Sequence, residues 1–226
     1  MTARVLAVTV LYNSEQALTS WYQLEQTADV RVVVVDNASS DGGAALARQR
    51  GLEVVTSPDN VGFGRGCNLG ASLADGEEWI AFVNPDVAIT AERLLEVADR
   101  APDGVVATSP LLVDVDDEVL GDVERSRPTT WFVIAVWLAG KRGIRSRTPA
   151  PSTTSGARLT TEVTSGACLL VRRAAFESAG RFPAWLFFNL EDIVLCEELA
   201  ALGSIDVDLG ARVRHQKLSS ADATPL

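Results

Sequence analysis

The sequence has few residues of the kinds that form metal centres or covalent cross-links, with three cysteines and one histidine in 226 residues. Cys67, Cys168 and Cys196 are far apart and lie among apolar residues, which favours reduced core cysteines in the cytoplasm over disulfides or a zinc site. The chain also lacks net positive charge, since its formal net charge is -10. Because nucleic-acid binders present dense lysine and arginine surfaces, we predict no nucleic-acid partner.

Long apolar runs are absent as well. The most apolar segment, residues 131–139, would measure only about 14 Å as a helix, against about 30 Å for the hydrocarbon core of a bilayer. A basic stretch at 141–147 follows it, and the pair suits either a membrane surface or a helix packed on the protein with a solvated tail. The packed helix is favoured because no face of the segment is strongly polar. We therefore expect a cytoplasmic protein, with peripheral association at the inner face of the membrane as the open alternative.

The first half of the chain alternates short apolar runs with amphipathic segments. Strands are predicted at 5–11, 31–35, 52–56, 79–83 and 105–108, with helices at 14–26, 39–50 and 90–100. The second half is less regular, with a strand pair at 160–171, a helix at 173–179, an aromatic-rich loop at 182–189, a helix at 190–201 and short strands at 205–207 and 211–213. The pattern predicts one α/β domain with a mostly parallel central sheet flanked by helices.

The strand predicted at 79–83 ends abruptly at Asn84-Pro85-Asp86. Pro85 lacks an N–H and favours an extended Asn84, so Asp86 follows the carboxyl end of the strand. Ligands of open α/β sheets bind at that edge, where a carboxylate can hold a divalent cation that bridges nucleotide phosphates. An ordinary turn is the other interpretation of these three residues.

Glycines recur in residues 59–70, ahead of a helix predicted to run toward Ala74. They let backbone N–H groups approach a phosphate or a sugar, and a helix N-terminus favours anions. The spacing does not fit a dinucleotide fingerprint, because the third glycine would fall on Cys67 or Leu69. From the glycines alone, a structural turn and a phosphate or sugar site both stay open.

Three further polar positions follow predicted strands or open a helix. Asp36 follows the second strand, where a carboxylate can accept hydrogen bonds from a ribose hydroxyl or a pyrimidine N–H. Glu191 and Asp192 open a helix, where carboxylates are electrostatically favoured for structural reasons alone. His215 is expected just past the last strand, which makes it a ligand candidate.

Motifs in a fixed order cover nearly the whole chain. They are Thr9-Val10-Leu11-Tyr12-Asn13-Ser14, Val34-Val35-Asp36-Asn37-Ala38-Ser39-Ser40-Asp41-Gly42, Asn60-Val61-Gly62-Phe63-Gly64, Asn68-Leu69-Gly70, Asn84-Pro85-Asp86, Ser165-Gly166-Ala167, Glu191-Asp192 and His215. Each motif alone is weak, but the ordered set resembles the family 2 glycosyltransferases, and within them the bacterial rhamnosyltransferase-like branch.

The resemblance implies a GT-A fold, a single Rossmann-like domain over residues 1–226. Residues 1–110 would bind the nucleotide sugar and residues 111–226 the acceptor. The implied reaction is inverting transfer from a nucleoside-diphosphate sugar, dTDP-rhamnose or a UDP-sugar, to an acceptor hydroxyl. The acceptor would be a glycan, a lipid-linked molecule or a small molecule, in the synthesis of a cell-surface glycan, a glycolipid or a glycosylated metabolite.

The resemblance also implies roles for individual residues. The donor-binding positions are Thr9, Tyr12, Asn13, Asp36, Asn60, Gly62, Gly64, Arg65, Asn68 and Asn84. Asn84 stands where the family carries the first acid of its metal motif, so Asp86 is the expected ligand of Mg²⁺ or Mn²⁺, with His215 completing that site. Asp192 matches the catalytic base, and Glu191 is the second candidate base or a residue that holds the acceptor.

Two departures leave other functions open. Val194 stands where relatives often carry a second aspartate, and the sequence ends at Leu226, where relatives often continue with more helix. Both features fit a donor-binding but non-catalytic relative that acts as a subunit or regulator. A sugar-1-phosphate nucleotidylyltransferase would share the strand and helix alternation, but it normally has an N-terminal glycine-rich loop with arginine and lysine, which residues 5–15 lack.

Overall fold

The computed structural model describes residues 3–120, 158–188 and 190–216. The strands are β1 Val5–Leu11, β2 Val30–Asp36, β3 Glu53–Thr56, β4 Trp79–Val83, β5 Val87–Ala88, β6 Val105–Val113, β7 Arg158–Thr161, β8 Cys168–Arg172 and β9 Ser204–His215. The helices are α1 Glu15–Ser20, α2 Gly43–Gln49, α3 Phe63–Ala71, α4 Ala91–Asp99, α5 Arg173–Ser178 and α6 Glu191–Ala200. The apolar and basic segments predicted at 131–139 and 141–147 lie outside the described residues.

The strands form one sheet in the order β3-β2-β1-β4-β8-β6-β9-β5, with β7 paired to β9. The first four strands of the chain, which lie in the order β3-β2-β1-β4, pair in parallel, as the alternation of strands and helices predicts. Beyond β4 the sheet is mixed, because β8 runs antiparallel to both β4 and β6, while β6 and β9 are parallel. Strands from both halves of the sequence therefore share a single sheet.

Helices cover both faces of the sheet. Every residue of β1 and β4 is buried, which explains their continuous apolar sequences. Alternate residues of β1 point to opposite sides, so Val5 and Ala7 lie in one core and Leu6 and Val8 in the other. The first core includes buried residues of α1, α2 and α4, and the second includes residues of α3, α5 and α6.

Several predicted boundaries were wrong. α1 ends at Ser20 and not at residue 26, although Tyr22 and Leu24 still pack in the core. α2 begins at Gly43, because Ser39 and Ser40 form hydrogen bonds with Asn13 and do not cap the helix. α4 follows the prediction more closely, and the Thr90 hydroxyl accepts a hydrogen bond from the backbone N–H of Arg93.

Two strands, β6 and β9, are longer than predicted. β6 continues through Pro110 to Val113, and its register against β9 shifts between Pro110 and Leu111. That irregularity accommodates the proline and lets β9 run unbroken past Gly210. His215 is therefore the last residue of β9 and does not follow a separate short strand, and it pairs with Val87 of β5, a strand that was not predicted.

All three cysteines are buried and free, as the sequence predicts. Within the part of the chain that the structure describes, no helix is both long and apolar enough to cross a membrane.

Candidate active site

One edge of the sheet collects most of the predicted site residues. Leu11 at the end of β1 pairs with Asp36 at the end of β2, and Asp36 pairs with Thr56 at the end of β3. On the other side of β1, the end of β4 lies beside the start of the antiparallel β8, with Val83 opposite Cys168. The loops that follow β1, β2, β3 and β4 and the turn that precedes β8 therefore meet along this edge.

Tyr12, Asn13 and Asp36 lie together at this edge, as predicted. The backbone N–H of Asn37 donates to the Leu11 carbonyl at 2.8 Å, which brings the two loops into contact. The Asn13 side-chain oxygen accepts from the Ser40 N–H at 2.8 Å, and one Asp36 oxygen accepts from the Ser39 N–H at 3.0 Å. These bonds fix the loop between Asp36 and α2.

Three residues other than glycine near this edge have left-handed backbone conformations. Asn13 and Ala38 have positive φ values of 51° and 61°, and Leu190, just before α6, has a φ of 71°. Asparagine tolerates this left-handed conformation, whereas alanine and leucine adopt it only at an energetic cost. Strained residues of this kind concentrate at functional sites, where the surrounding structure holds them in place.

Thr9 corrects the sequence prediction. Its side chain is fully buried, and its hydroxyl lies 2.9 Å from the hydroxyl of Tyr22 in the core. The structure therefore places Thr9 in contact with the segment after α1 and not at the face where a donor would bind.

Asn60 and Asn37 form a network that shapes the loop before α3. The Asn37 side-chain nitrogen donates to Asn60 Oδ1 at 2.8 Å, and the same oxygen accepts from the Gly62 N–H at 3.1 Å. Asn37 Oδ1 in turn accepts from the Val61 N–H at 3.0 Å. The side-chain oxygen Oδ1 of Asn60 thus already accepts hydrogen bonds within the protein.

The glycines of this segment allow close packing. The segment is mostly helix, so three of the four glycines lie within α3 rather than in a loop. A Cβ on Gly66 would lie 2.9 Å from a Val10 methyl group, and a Cβ on Gly70 would lie 2.4 Å from a Val8 methyl group. These glycines bring α3 directly onto β1, which answers the question that the sequence left open in favour of a structural role.

The other two glycines face the aromatic loop, defined here as residues 182–188. Gly62 has a φ of 88°, and a Cβ there would lie 2.1 Å from the Phe187 carbonyl oxygen. A Cβ on Gly64 would meet Phe182 Cβ at 3.2 Å and Glu191 Cβ at 3.5 Å. The side of each glycine toward which a Cβ would project is therefore occupied by the protein itself.

Asn68 and Arg65 contact the same loop. Asn68 Nδ2 donates to the Phe182 carbonyl at 2.9 Å, and Asn68 Oδ1 accepts from the Phe182 N–H at 3.1 Å. Arg65 Nε donates to the Ala184 carbonyl. Because the nitrogen and the oxygen of its side-chain amide both bond the Phe182 backbone, Asn68 holds the loop. Arg65 is exposed at the surface, and only its Nε is used in that bond.

A group of buried polar atoms without hydrogen-bond partners lies beyond β4 and at the end of β9. His215 Nε2 lies 3.3 Å from Asp86 Oδ1, and the Gln216 N–H donates to the Asp86 carbonyl at 3.0 Å. Asn84 Oδ1, Asp86 Oδ1, His215 Nδ1 and Gln216 Oε1 are all buried and lack a hydrogen-bond partner. Such atoms are costly unless a ligand satisfies them.

The turn before β8 connects this group to Asp192. The Ala167 carbonyl accepts from the Asn84 N–H at 2.8 Å, and the Gly166 N–H donates to Asp192 Oδ2 at 3.2 Å. Asp192 Oδ1 also accepts from the N–H of Ile193 at 2.9 Å. The structure thus links the predicted base, Asp192, through two adjacent residues to Asn84, which lies two residues before the predicted metal ligand Asp86.

Glu191 lies on the inner side of α6, against α3. It is 7% exposed, its Oε2 is buried without a hydrogen-bond partner, and its Cβ and Cγ lie beside Gly64. Burial, opposed by a backbone hydrogen bond and reinforced by the charge of Asp192, raises the pKa of Glu191 from 4.5 to about 7. Its carboxyl group is therefore held inside the protein.

Sequence reasoning missed two contributors to the site. Gln216 adds its side-chain oxygen beside Asp86 and His215, and a single glutamine near the end of a chain carries no signal that could have identified it. Gly166 supplies a backbone N–H to Asp192. The Ser165-Gly166-Ala167 motif marked that turn, but a sequence does not show which carboxylate a backbone N–H will meet.

The structure resembles solved glycosyltransferases over nearly its whole length. The mannosyltransferase PcManGT from Pyrobaculum calidifontis, solved with GDP-Man and Mn²⁺, is 19% identical with a TM-score of 0.66, and the match covers 97% of this chain and 59% of that one. S. aureus TarS, solved with UDP-GlcNAc, is 18% identical with a TM-score of 0.68, and the match covers 100% of this chain and 62% of that one. The chain thus spans about three fifths of these longer proteins and has the GT-A fold.

Sequence comparison agrees with this fold. An N-acetylglucosaminyl-diphospho-decaprenol L-rhamnosyltransferase from Mycobacterium tuberculosis is 29% identical over 221 residues, which cover 87% of this chain and 69% of the relative. The family model described as glycosyl transferase family 2 matches residues 7–180. That match extends over more than half of the sequence, from within β1 to the second residue after α5, and the chain belongs to glycosyl transferase family 2.

Proposed function

We propose that this protein is an inverting glycosyltransferase that moves a sugar from a nucleoside-diphosphate sugar to an acceptor hydroxyl. The observation that carries the proposal is the chain of contacts from Asn84, two residues before Asp86, through the Gly166-Ala167 turn to Asp192. This chain fixes a candidate diphosphate site relative to a candidate base, and inverting transfer requires both groups on opposite sides of the sugar carbon.

Residues 1–110 would bind the nucleotide part of the donor. Tyr12 is exposed beside Asp36, so its ring can stack on a base while the Asp36 carboxylate accepts hydrogen bonds from the base or the ribose. Arg65 is the exposed cation of α3 and can approach a diphosphate. The M. tuberculosis relative is an L-rhamnosyltransferase, which favours dTDP-rhamnose as the donor over a UDP-sugar.

Asp86 and His215 fit a divalent cation of the Mg²⁺ or Mn²⁺ type. Among the described residues no group of three or more acidic, histidine or cysteine side chains could hold a metal alone. Mg²⁺ is usually held by one or two carboxylates together with substrate phosphates, so a pair assisted by the Asn84 and Gln216 oxygens suits a cation shared with the donor. When bound, such a cation neutralises charge that develops on the departing diphosphate.

Asp192 would act as the general base. Its carboxylate is anchored by the N–H groups of Gly166 and Ile193, which hold it at the sheet edge. The acceptor hydroxyl loses its proton to Asp192 as its oxygen attacks the anomeric carbon, and the bond from that carbon to the diphosphate oxygen breaks on the opposite face. A positioned base contributes about 10²–10⁴-fold to the rate.

The acceptor would bind on the side formed by residues 111–226. Three large apolar side chains of the aromatic loop, Trp185, Phe187 and Phe188, are exposed close to α6, where Asp192 lies. Exposed aromatic clusters mark binding surfaces for sugars or apolar chains. The relative from M. tuberculosis is named for a decaprenol-linked acceptor, so we favour a lipid-linked acceptor in the synthesis of a cell-surface glycan.

A thermal-shift panel with UDP, dTDP, GDP and their sugars, each with and without Mn²⁺ or Mg²⁺, tests the donor site. A ligand at about 100 times its dissociation constant should add about 2.7 kcal/mol of stability. We expect one nucleotide to give a metal-dependent shift that is lost in Asp86→Ala. If no nucleotide shifts the unfolding temperature, the proposed donor site is wrong.

Release of the nucleoside diphosphate from the matching sugar nucleotide distinguishes an enzyme from a non-catalytic binding subunit. We expect slow hydrolysis of the donor without an acceptor and faster release with a polyprenyl-diphosphate sugar. Stable binding without release under either condition would favour the non-catalytic function, which the valine at position 194 also suits.

A further inference from the structure

We infer that α3 is a clamp for the aromatic loop and that Asn68 is a positioning residue for the catalytic carboxylate Asp192. The inference rests on the proposed function only for the role of Asp192. It assigns Asn68 to the acceptor side of the reaction, whereas the sequence motif places the same residue along the donor.

The contacts between α3 and the loop are directional and closely spaced. The Asn68 amide bonds both the N–H and the carbonyl of Phe182, and Arg65 Nε donates to the Ala184 carbonyl. At the start of α3, the Phe63 N–H donates to the Phe187 carbonyl at 3.2 Å. Both ends of the aromatic loop are therefore bonded to one helix nine residues long.

Packing reinforces these hydrogen bonds at the start of the loop. The Phe182 ring is buried and lies 4.8 Å from the Phe82 ring and 5.8 Å from the Phe176 ring, measured between centroids. Asn68 thus secures the backbone of a residue whose side chain is already anchored in the core. Because the remaining aromatic side chains are exposed, the hydrogen bonds to α3 are the main described restraint on the rest of the loop.

Two residues separate the aromatic loop from α6 along the sequence. Glu191 and Asp192 are the first two residues of that helix, and Glu191 lies close enough to α3 that a Cβ added at Gly64 would be 3.5 Å from the Glu191 Cβ. A shift of the loop therefore moves the N-terminus of α6 and with it the Asp192 carboxylate. Since a misplacement of about 1 Å at a reacting group can cost about 10²-fold in rate, the clamp acts on catalysis without touching the donor.

Asn68→Ala separates the two possible roles of this residue. If Asn68 positions Asp192, turnover measured as dTDP release from dTDP-rhamnose falls about 10–100-fold, while the dissociation constant of dTDP with Mn²⁺ changes less than about twofold. If Asn68 is a donor ligand, dTDP binding weakens and the turnover at saturating donor is retained, which would overturn the inference. Ser72→Ala is the matched control, since Ser72 follows α3 and its hydroxyl donates only to the Leu69 carbonyl.

Hydrogen exchange tests the clamp independently of activity. In Asn68→Ala, amides of residues 182–188 and of the first turn of α6 should exchange about tenfold faster than in the wild type, with no change in Ser72→Ala. Unchanged exchange in Asn68→Ala would overturn the inference whatever the activity shows. If the wild type neither binds nor hydrolyses any nucleotide sugar, the proposed function fails, and the exchange data still decide whether the clamp exists.

A pair of glycine variants provides a second test. A Cβ at Gly62 would clash with the Phe187 carbonyl oxygen, whereas a Cβ at Gly104 would meet nothing within 4 Å. The two glycines have similar φ values of 88° and 83°, so Gly104→Ala controls for backbone strain. We expect faster exchange in the aromatic loop and a fall in turnover of at least tenfold beyond the control only in Gly62→Ala. Equal effects of the two variants on the loop would contradict the clamp.

Discussion

Glu191→Gln should change how the stability of the protein depends on pH. In the folded protein the pKa of Glu191 is raised from 4.5 to about 7, chiefly by burial, so the neutral form is favoured there. Below pH 4.5 the carboxyl group is protonated in both the folded and the unfolded states, so it does not make the free energy of unfolding depend on pH. Between pH 4.5 and 7 the unfolded chain releases the proton first, so the free energy of unfolding of the wild type falls as pH rises.

The magnitude follows from the two pKa values. Each pKa unit corresponds to about 1.4 kcal/mol, so the rise to about 7 makes the wild type lose about 3 kcal/mol across this range. Glutamine cannot ionise, so Glu191→Gln does not show this loss. The free energy of unfolding of Glu191→Gln minus that of the wild type should therefore increase by about 3 kcal/mol from pH 4.5 to pH 8. A pH-independent effect of the amide would not alter this increase.

Urea denaturation at several pH values between 4.5 and 8 measures this difference. Glu198→Gln, which removes an exposed glutamate from the same helix, controls for the loss of a helix charge. If the difference in free energy of unfolding between Glu191→Gln and the wild type is the same at every pH, the Glu191 carboxyl group is not desolvated in solution. In that case the packing of α6 against α3 described here would be wrong.

Three further variants test other parts of the site. Asp192→Asn should lower turnover about 10²–10⁴-fold with little effect on dTDP binding by calorimetry, and unchanged turnover would exclude Asp192 as the base. Asp86→Asn should abolish the Mn²⁺-dependent part of the dTDP thermal shift, and a retained metal effect would place the cation elsewhere. Thr9→Val should cost about 1–3 kcal/mol in urea denaturation, because the buried Tyr22 hydroxyl loses its partner, while weaker dTDP binding would restore Thr9 to the donor site.

The parallel half of the fold could be predicted from the sequence because its signals are local. β1 and β4 have the predicted bounds, since each is a continuous apolar run that ends at a polar or proline-containing turn. β6 and β9 were predicted too short because Pro110 and Gly210 normally interrupt strands. Their pairing, with a shift of register beside Pro110, depends on residues about 100 positions apart and cannot be seen in either segment alone.

The site residues also differ in whether a local sequence signal could place them. Asp36 ends β2 and Asp86 follows β4, two strands that the sequence could locate, whereas His215 ends a strand that was predicted too short; all three remain candidates for the predicted roles. Asn68 was predicted to lie along the donor, but its partner, Phe182, is 114 residues away. An asparagine in a glycine-rich stretch carries the same local signal whether its amide meets a nucleotide or a distant backbone.

The position of α3 gives its glycines two simultaneous functions. Gly66 and Gly70 bring one side of the helix onto β1, while Gly62 and Gly64 bring its start and another side against the aromatic loop and Glu191. A larger residue at any of these four glycines would push α3 away from one of its neighbours. The distance between the end of β1 and α6 would then change. β1 ends beside Asp36, and α6 carries Asp192. Close packing of α3 against both therefore fixes the distance between the end of β1 and the start of α6. The glycine pattern thus serves the geometry between donor and base without any glycine having to contact a phosphate.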